Sequence, residues 1–201
     1  NGVSLGSVTD TKTLSDTSNG LVVGSSRITG SISNSLSGYI SNFKIVVGSA
    51  ITTVPSTPDT ATSGTSLLLS ATNAGIFDNA SKNDLETVGN AQISTTQSKF
   101  GGSSMYFDGS GDYLQLQANP NLSFESGDFT IECWAYFNSL AQQGSYNPAI
   151  ICYGGGSFNF DFAVESGGSI FLYNGGYVVQ SGSSQITTGS WMHLALVRSG
   201  N

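Results

Sequence analysis

Two aspartates separated by a Gly-Ser-Gly turn are the residues whose type and spacing most directly suggest a functional site. Asp108 and Asp112 flank that turn, and a glycine-rich turn can present carboxylates and main-chain carbonyls to one ion. Calcium prefers such oxygen ligands, so the pair is a candidate calcium site, and calcium is the one cofactor the sequence suggests. Two carboxylates fill only part of a calcium shell. The alternative is a plain turn in which both side chains cap their own backbone.

A second pair of carboxylates lies on one predicted strand. Residues 158–165 alternate between apolar and polar, which puts Asp161 and Glu165 on one face, about 13 Å apart at 3.3 Å per residue. Glycosidase carboxylates need shorter separations, roughly 5–5.5 Å or 6.5–9.5 Å. We expect this face to be solvated or to line a polar groove. His193, the only histidine, has no partner pattern typical of a catalytic triad. The sequence therefore predicts a protein that is not an enzyme.

Four tyrosines fall at predicted strand ends or loops and are candidates for contact with a glycan: Tyr146, Tyr153, Tyr173 and Tyr177. Sugar rings dock on exposed aromatic faces, whereas the same side chains could equally pack in the core or at its rim. Cys133 and Cys152 lie on successive predicted strands, each on an apolar face. They could form a disulfide across a sandwich, although two buried thiols are the more probable state of a protein assembled in a cytosol.

The composition excludes several classes of function. Only 9% of the 201 residues are charged, against roughly 25% in an ordinary soluble domain. The net charge is −7, and the six basic residues are scattered, so a nucleic-acid partner is not expected. No apolar run approaches the roughly 18 residues that span a bilayer, so membrane insertion is not expected either.

The elements that must position these side chains are short β-strands. Period-two alternation recurs between Gly, Asn and Ser turns, whereas helical periodicity is almost absent. A dozen short strands with tight turns predict an all-β antiparallel sandwich. Residues 48–66 hold two of the four prolines, together with many Thr and Ser, and are predicted to form an extended linker between segments 1–47 and 67–201.

Five motifs in the second segment carry a resemblance to a known family. They occupy residues 66–69, 90–102, 104–114, 127–134 and 188–198, in the family's order. This segment resembles the laminin G-like, concanavalin A-like jelly-roll domains found in tail and surface proteins of marine phages and in bacterial adhesins. Cys133 departs from the pattern, in which an aromatic residue usually precedes Trp134. The resemblance implies a concanavalin A-like jelly roll and makes Trp191 and His193 structural strand residues. Glucanases of this fold carry a carboxylate where this chain has Asn159, which cannot act as the nucleophile.

The first segment resembles the C-terminal portion of the same kind of domain. Residues 1–7 look like the strand after a hairpin, and residues 38–48 look like the closing strand. Segment 67–201 then corresponds to the N-terminal portion, so the chain holds either two partial domains or one permuted domain. The pattern needs one further strand between the ends of these two portions. We expect a head-to-tail array of neighbouring copies, or a swapped oligomer, to supply it.

The resemblance implies a binding or adhesion module of a virion or cell-surface protein, recognising a surface glycan. The alternative is a purely structural spacer or assembly unit of a fibre or capsid decoration. The expected partners are a glycan or neighbouring copies of the module, and the expected location is the virion or the extracellular or cell surface.

Overall fold

The computed structural model describes residues 2–10, 20–28, 31–72, 74–142, 147–154 and 159–200. Its regular elements are sixteen β-strands and one short 3-10 turn at Pro120–Leu122. Within these ranges, no helix has the length and apolarity needed to cross a membrane. In chain order the strands are β1 (Leu21–Val23), β2 (Ser26–Ile28), β3 (Ser31–Ser33), β4 (Ser37–Val47), β5 (Thr65–Thr72), β6 (Gly75–Asp78), β7 (Leu85–Val88), β8 (Gln92–Ser94), β9 (Ser104–Asp108), β10 (Tyr113–Leu116), β11 (Phe129–Ser139), β12 (Ala149–Gly154), β13 (Asn159–Val164), β14 (Ile170–Asn174), β15 (Tyr177–Gln180) and β16 (Trp191–Arg198).

Two antiparallel sheets face each other across one apolar core. Sheet 1 has the order β15-β14-β13-β12-β1-β10-β7. Sheet 2 has the order β16-β11-β4-β5-β6, with β9 paired to β4 and β8 paired to β9. The inward side chains of both sheets, including Phe43, Phe107, Ile131 and Phe162, form a single buried cluster. This is an antiparallel β-sandwich of the jelly-roll type, and the fold class predicted from the sequence is confirmed.

Residues 1–47 contribute central strands to both sheets. In sheet 1, β1 pairs with β12 on one side and with β10 on the other. In sheet 2, β4 pairs with β11, β5 and β9. All of these partners belong to residues 67–201 except the first residues of β5. The two segments therefore contribute strands to the same two sheets within the chain.

Both central strands are buried on both faces, because other parts of the chain cover the outside of each sheet. The β2–β3 hairpin packs on the outer face of sheet 1 over β12 and β13. The proline-rich segment 48–64 crosses the outer face of sheet 2, where Thr130 Oγ1 accepts from the Ile51 N–H (2.7 Å) and donates to the Ser49 carbonyl (3.0 Å). The predicted linker is thus held against the sheet by hydrogen bonds.

Residues 2–10 differ from the expectation that residues 1–7 form a strand, because they form no ladder with any described strand. They lie beside sheet 1, where a Cβ at Gly6 would lie 3.1 Å from the Val179 side chain and 3.2 Å from the Gln180 carbonyl oxygen. Val3 and Val8 are 84% and 54% exposed. A strand is defined by its hydrogen-bonded neighbour, and this segment has no such neighbour among the described residues.

Candidate glycan-contact faces and buried polar clusters

The Asp108–Asp112 turn joins the two sheets, because β9 belongs to sheet 2 and β10 to sheet 1. Asp112 is fully buried; its Oδ1 accepts from the Asn90 N–H (2.5 Å) and its Oδ2 from the Asp108 N–H (2.6 Å). Asp108 accepts from the Asn90 side-chain amide (3.1 Å) and from the Ser110 N–H (2.7 Å). The carboxylates therefore fix a corner between the sheets.

The pKa values of the two carboxyl groups at this corner are shifted in opposite directions. The hydrogen bond from the Asn90 amide lowers the pKa of Asp108, whereas burial raises the pKa of Asp112. Within the described residues, no group of three or more His, Cys, Asp or Glu side chains is placed to hold a metal ion. Calcium binding at this corner stays a prediction. Its test is a rise in melting temperature on adding calcium that is lost in the Asp108→Asn, Asp112→Asn double variant; a rise that persists in that variant would contradict it.

Both cysteines are buried thiols in the structure, the state that the sequence analysis favoured over a disulfide, and they lie on different faces. Cys133, on β11, points into the core between the sheets. Cys152 pairs with Asp161 across β12 and β13 and hydrogen-bonds to its carboxylate on the outer face of sheet 1. Sheet 1 itself therefore separates the two thiols. Burial raises the pKa of the Cys133 thiol far above its usual range.

Asp161 is buried under the β2–β3 hairpin, which corrects the expectation of a solvated or groove-lining face. The side chain is 9% exposed, and its Oδ2 accepts from Ser26 Oγ (3.1 Å). The other oxygen, Oδ1, has no hydrogen-bond partner among the described residues. Burial raises the pKa of Asp161 to about 6. A carboxyl enclosed in this way has no open surface on which to meet a substrate.

Of the four tyrosines considered for glycan contact, two meet on one face. Tyr173 and Tyr177 lie on the outer face of sheet 1 with ring centroids 5.9 Å apart and rings nearly perpendicular. Tyr177 is 57% exposed, and its hydroxyl donates to Glu165 Oε1 (2.9 Å), which raises the pKa of Tyr177. Tyr153 is only 2% exposed and packs against Phe124 in the core, so it offers no face to a sugar ring and that prediction is wrong. Tyr146 lies outside the described residues.

The outer face of sheet 2 carries a row of aromatic side chains that the sequence reading did not find. Tyr106, Tyr39, Tyr136 and Trp191 stand at matching register positions on β9, β4, β11 and β16. We call these four residues the aromatic row. Successive ring centroids are 4.9, 5.8 and 5.8 Å apart. Three inter-strand spacings make the row about 14 Å long.

The aromatic row is partly open to solvent. Tyr39 is 7% exposed, and the other three members are partly exposed. Beside the row, Trp134 contacts the His193 ring at 5.4 Å, and Lys99 Nζ lies 3.7 Å from the Trp134 ring centroid, a cation–π distance. Of these residues, Trp191 was expected from the resemblance to be a structural strand residue. Alternation assigns them to one side of their strands but does not reveal that this side faces outward.

Next to Trp134, a polar network anchors segment 48–64 to sheet 2. Lys44 Nζ lies 3.7 Å from Asp59 Oδ1 and 3.9 Å from Glu132 Oε1, and His193 Nε2 lies 3.1 Å from Glu132 Oε2. Asn42 exchanges two hydrogen bonds with Asp59, of 2.7 and 2.8 Å. Burial raises the pKa of Asp59, and the Lys44 ammonium partly offsets this. The network holds the segment in place and stops short of the aromatic row, which stays uncovered by it.

The fold and these faces define a lectin-like β-sandwich, with aromatic side chains displayed on the outside of both sheets. Residues 108–201 match the family model of the Concanavalin A-like lectin/glucanases superfamily, in its laminin G-like branch. The resemblance seen in the sequence is thereby confirmed for that part of the chain. No curated protein and no solved structure gives a match to this chain. Domains of this family are generally carbohydrate-binding or structural modules, and generally non-enzymatic.

Proposed function

We propose that this chain is a non-enzymatic carbohydrate-binding module of a virion or cell-surface protein, and that it binds glycans through the aromatic row. The observation that carries this proposal is the alignment of Tyr106, Tyr39, Tyr136 and Trp191 across four strands of sheet 2. Planar side chains on a rigid sheet offer a large contact area at little entropic cost. A row about 14 Å long suits an extended oligosaccharide lying across the strands.

The surroundings of the row disfavour an anionic ligand. The members of the row carry no charge, and burial, the neighbouring Tyr39 and the carboxylates of Asp108 and Asp112 raise the pKa of Tyr106. Lys44 and Glu132, in the adjoining polar network, are buried and lie 3.9 Å apart. The tyrosine hydroxyls supply both donors and acceptors for sugar hydroxyls. The non-enzymatic part of the proposal is supported by the carboxylates that the sequence singled out. Asp161 is enclosed, and Glu165 is engaged by the side chains of Tyr177 and Gln180.

The alternative function is a purely structural spacer or assembly unit without a glycan ligand. The observation that favours it is the position of β16 at the end of the described part of sheet 2, because an edge strand suits a module that assembles with other chains. In either case, the expected partners are a surface glycan or neighbouring copies of the module.

The test is a glycan array with the whole chain, with and without chelator, followed by affinity measurements on variants. We expect Trp191→Ala to weaken binding about tenfold, because one lost stacking contact costs about 1.4 kcal/mol. Tyr136→Leu, which keeps apolar bulk and loses the ring, should give a similar loss. Tyr177→Ala, on the opposite sheet, is the matched control and should leave affinity unchanged.

Three results would contradict the proposal. Absence of binding to every glycan, with and without chelator, favours the structural alternative. Binding that Tyr177→Ala abolishes and Trp191→Ala preserves moves the site to the Tyr173–Tyr177 pair on sheet 1. Turnover of a bound oligosaccharide would show that the module is an enzyme.

A further inference from the structure

A buried lysine lies between two carboxylates at the point where segment 48–64 crosses sheet 2. Lys44 Nζ is 3.7 Å from Asp59 Oδ1 and 3.9 Å from Glu132 Oε1. The side chains of Lys44 and Glu132 are 5% and 3% exposed, and that of Asp59 is 15% exposed. Both distances exceed the length of a hydrogen bond, so the ammonium is close to both carboxylates without being bonded to either. An amine and two carboxyl groups therefore meet in a place that is largely closed to water.

Each of the two carboxyl groups is held through one oxygen only. The Asn42 side-chain amide donates to Asp59 Oδ2 (2.7 Å), and the Asp59 N–H donates to Asn42 Oδ1 (2.8 Å). His193 Nε2 lies 3.1 Å from Glu132 Oε2. These contacts do not use Asp59 Oδ1 and Glu132 Oε1, the two oxygens nearest to Lys44. Both carboxyl groups are thus oriented, while the long lysine side chain keeps the freedom to move toward Asp59.

Burial at this place favours the neutral groups from which an amide forms. Removal from water disfavours an ammonium and a carboxylate, and one proton transfer between them removes both charges at once. In agreement with this, burial raises the pKa of Asp59, and the Lys44 ammonium only partly offsets the effect. Well-oriented groups within one molecule also react at effective concentrations of about 10⁵–10⁸ M, which favours condensation over the reverse reaction with water.

We propose that the Lys44 amine and the Asp59 carboxyl group condense to an intramolecular amide, with Glu132 as the group that transfers the proton. A proton first passes from Nζ to Asp59 Oδ1, and the Nζ lone pair then attacks Asp59 Cγ and forms the C–N bond. The carbonyl electron pair moves to Oδ2, where the Asn42 N–H stabilises the negative charge. Glu132 takes one proton from Nζ and delivers it to Oδ1, the Cγ–Oδ1 bond breaks, and one water molecule leaves. The amide nitrogen keeps one hydrogen, and nothing is oxidised or reduced.

The product connects the centre of sheet 2 to the segment that covers it. Lys44 lies on β4, which pairs with β11, β5 and β9, whereas Asp59 lies in segment 48–64. The amide closes residues 44–59 into a covalent ring, so this segment stays attached when the sheets unfold. The ionic network described above is the state of the same groups before the reaction. The bond lies outside the aromatic row, and the proposal is independent of glycan binding.

The test is the intact mass of the whole chain, incubated in the folded state and then denatured. We expect a mass lower than that of the sequence by one water molecule. Trypsin does not cut after an acylated lysine, so digestion should release residues 28–82 as one fragment that is also lighter by one water. An unmodified chain gives residues 28–44 and 45–82 as separate fragments. A succinimide at an aspartate also removes water, but it leaves the chain cleavable after Lys44.

Three variants, each compared with the mass of its own sequence, separate the bond from the group that promotes it. Asp59→Ala removes the acyl group, so the full mass and cleavage after Lys44 should return. Glu132→Gln keeps both reacting groups and should slow the loss of water by about 100-fold or more, the usual contribution of a positioned proton-transfer group. Asp84→Asn, at an exposed carboxyl group, is the matched control and should lose one water as the wild type does. Urea unfolding curves establish that each variant is folded before the masses are compared.

The wild type alone can overturn the proposal. A folded wild-type chain that keeps its full mass and is cut completely after Lys44 would do so, whatever the variants show. A loss of water that persists in Asp59→Ala would assign the modification to another residue and would have the same consequence. Loss of water at the wild-type rate in folded Glu132→Gln would overturn the role given to Glu132.

Discussion

Replacing Asp161 with asparagine removes a buried carboxyl group, the one among the described residues that has an oxygen without a hydrogen-bond partner. In the native protein, Ser26 and Cys152 hydrogen-bond to this carboxyl, while its Oδ1 has no partner among the described residues. Burial raises its pKa from 3.8 to about 6. Asparagine has the same shape and cannot ionise, so the variant isolates the cost of the buried charge.

The sign of the pH dependence follows from the direction of this shift. At about pH 3 and below, the carboxyl is mostly neutral in both the folded and the unfolded protein, and almost no penalty applies. Between pH 4 and 6, the unfolded chain releases its proton first, so the free energy of unfolding decreases as the pH rises. Above pH 6 the penalty is complete. Since one pKa unit corresponds to about 1.4 kcal/mol, the rise from 3.8 to about 6 costs about 3 kcal/mol at pH 7.

The assay is urea unfolding of the wild type and of Asp161→Asn at pH 3 and pH 7. We expect the free energy of unfolding of the variant, relative to wild type, to increase by about 3 kcal/mol between these pH values. Asp84→Asn, the same change at an exposed side chain, is the control and should show little such increase. If Asp161→Asn has the same relative stability at both pH values, then Asp161 does not carry a buried charge and the reasoning is refuted.

Three further predictions concern packing, charge and thiol chemistry. Gly24→Ala should lower the free energy of unfolding, measured in urea, by several kcal/mol, because a Cβ at φ +85° would lie 2.4 Å from the Phe107 ring. Gly48→Ala is the control: its φ is +86°, but nothing lies within 4 Å of the added Cβ, so the loss should be only about 1–2 kcal/mol. Lys44→Met should lower the free energy of unfolding by about 3–5 kcal/mol in the same assay, because the buried Glu132 carboxylate loses the Lys44 ammonium. An unchanged urea midpoint would contradict a stabilising role for Lys44. Titration with a thiol reagent should detect no reactive cysteine in the native protein and two after denaturation, and one or none after denaturation would contradict the free state of both thiols.

The sequence was sufficient for the fold class, because alternation and turn residues are local signals. The alternation of β13 and β16 correctly gave the side chains that enter the core, such as Phe162 and Leu194. The Gly-Ser-Gly turn was also placed correctly between two strands. The structural role of this turn was not predicted, since β9 and β10 belong to different sheets and the turn forms a corner between them. Which sheet a strand joins depends on partners far away in the chain, and no local pattern encodes them.

The candidate site depended on the tertiary structure for the same reason. Tyr39, Tyr106, Tyr136 and Trp191 are far apart in sequence and come into one row only through the registers of β4, β9, β11 and β16. Alternation gives two faces to each strand, but only packing decides which face meets water, and this is why Tyr153 and Asp161 were misplaced. The sequence by itself determined most of the strands, the turns and the family resemblance of residues 108–201. The tertiary structure determined the pairing of residues 1–47 with later strands and the aromatic row, because each depends on contacts between distant segments.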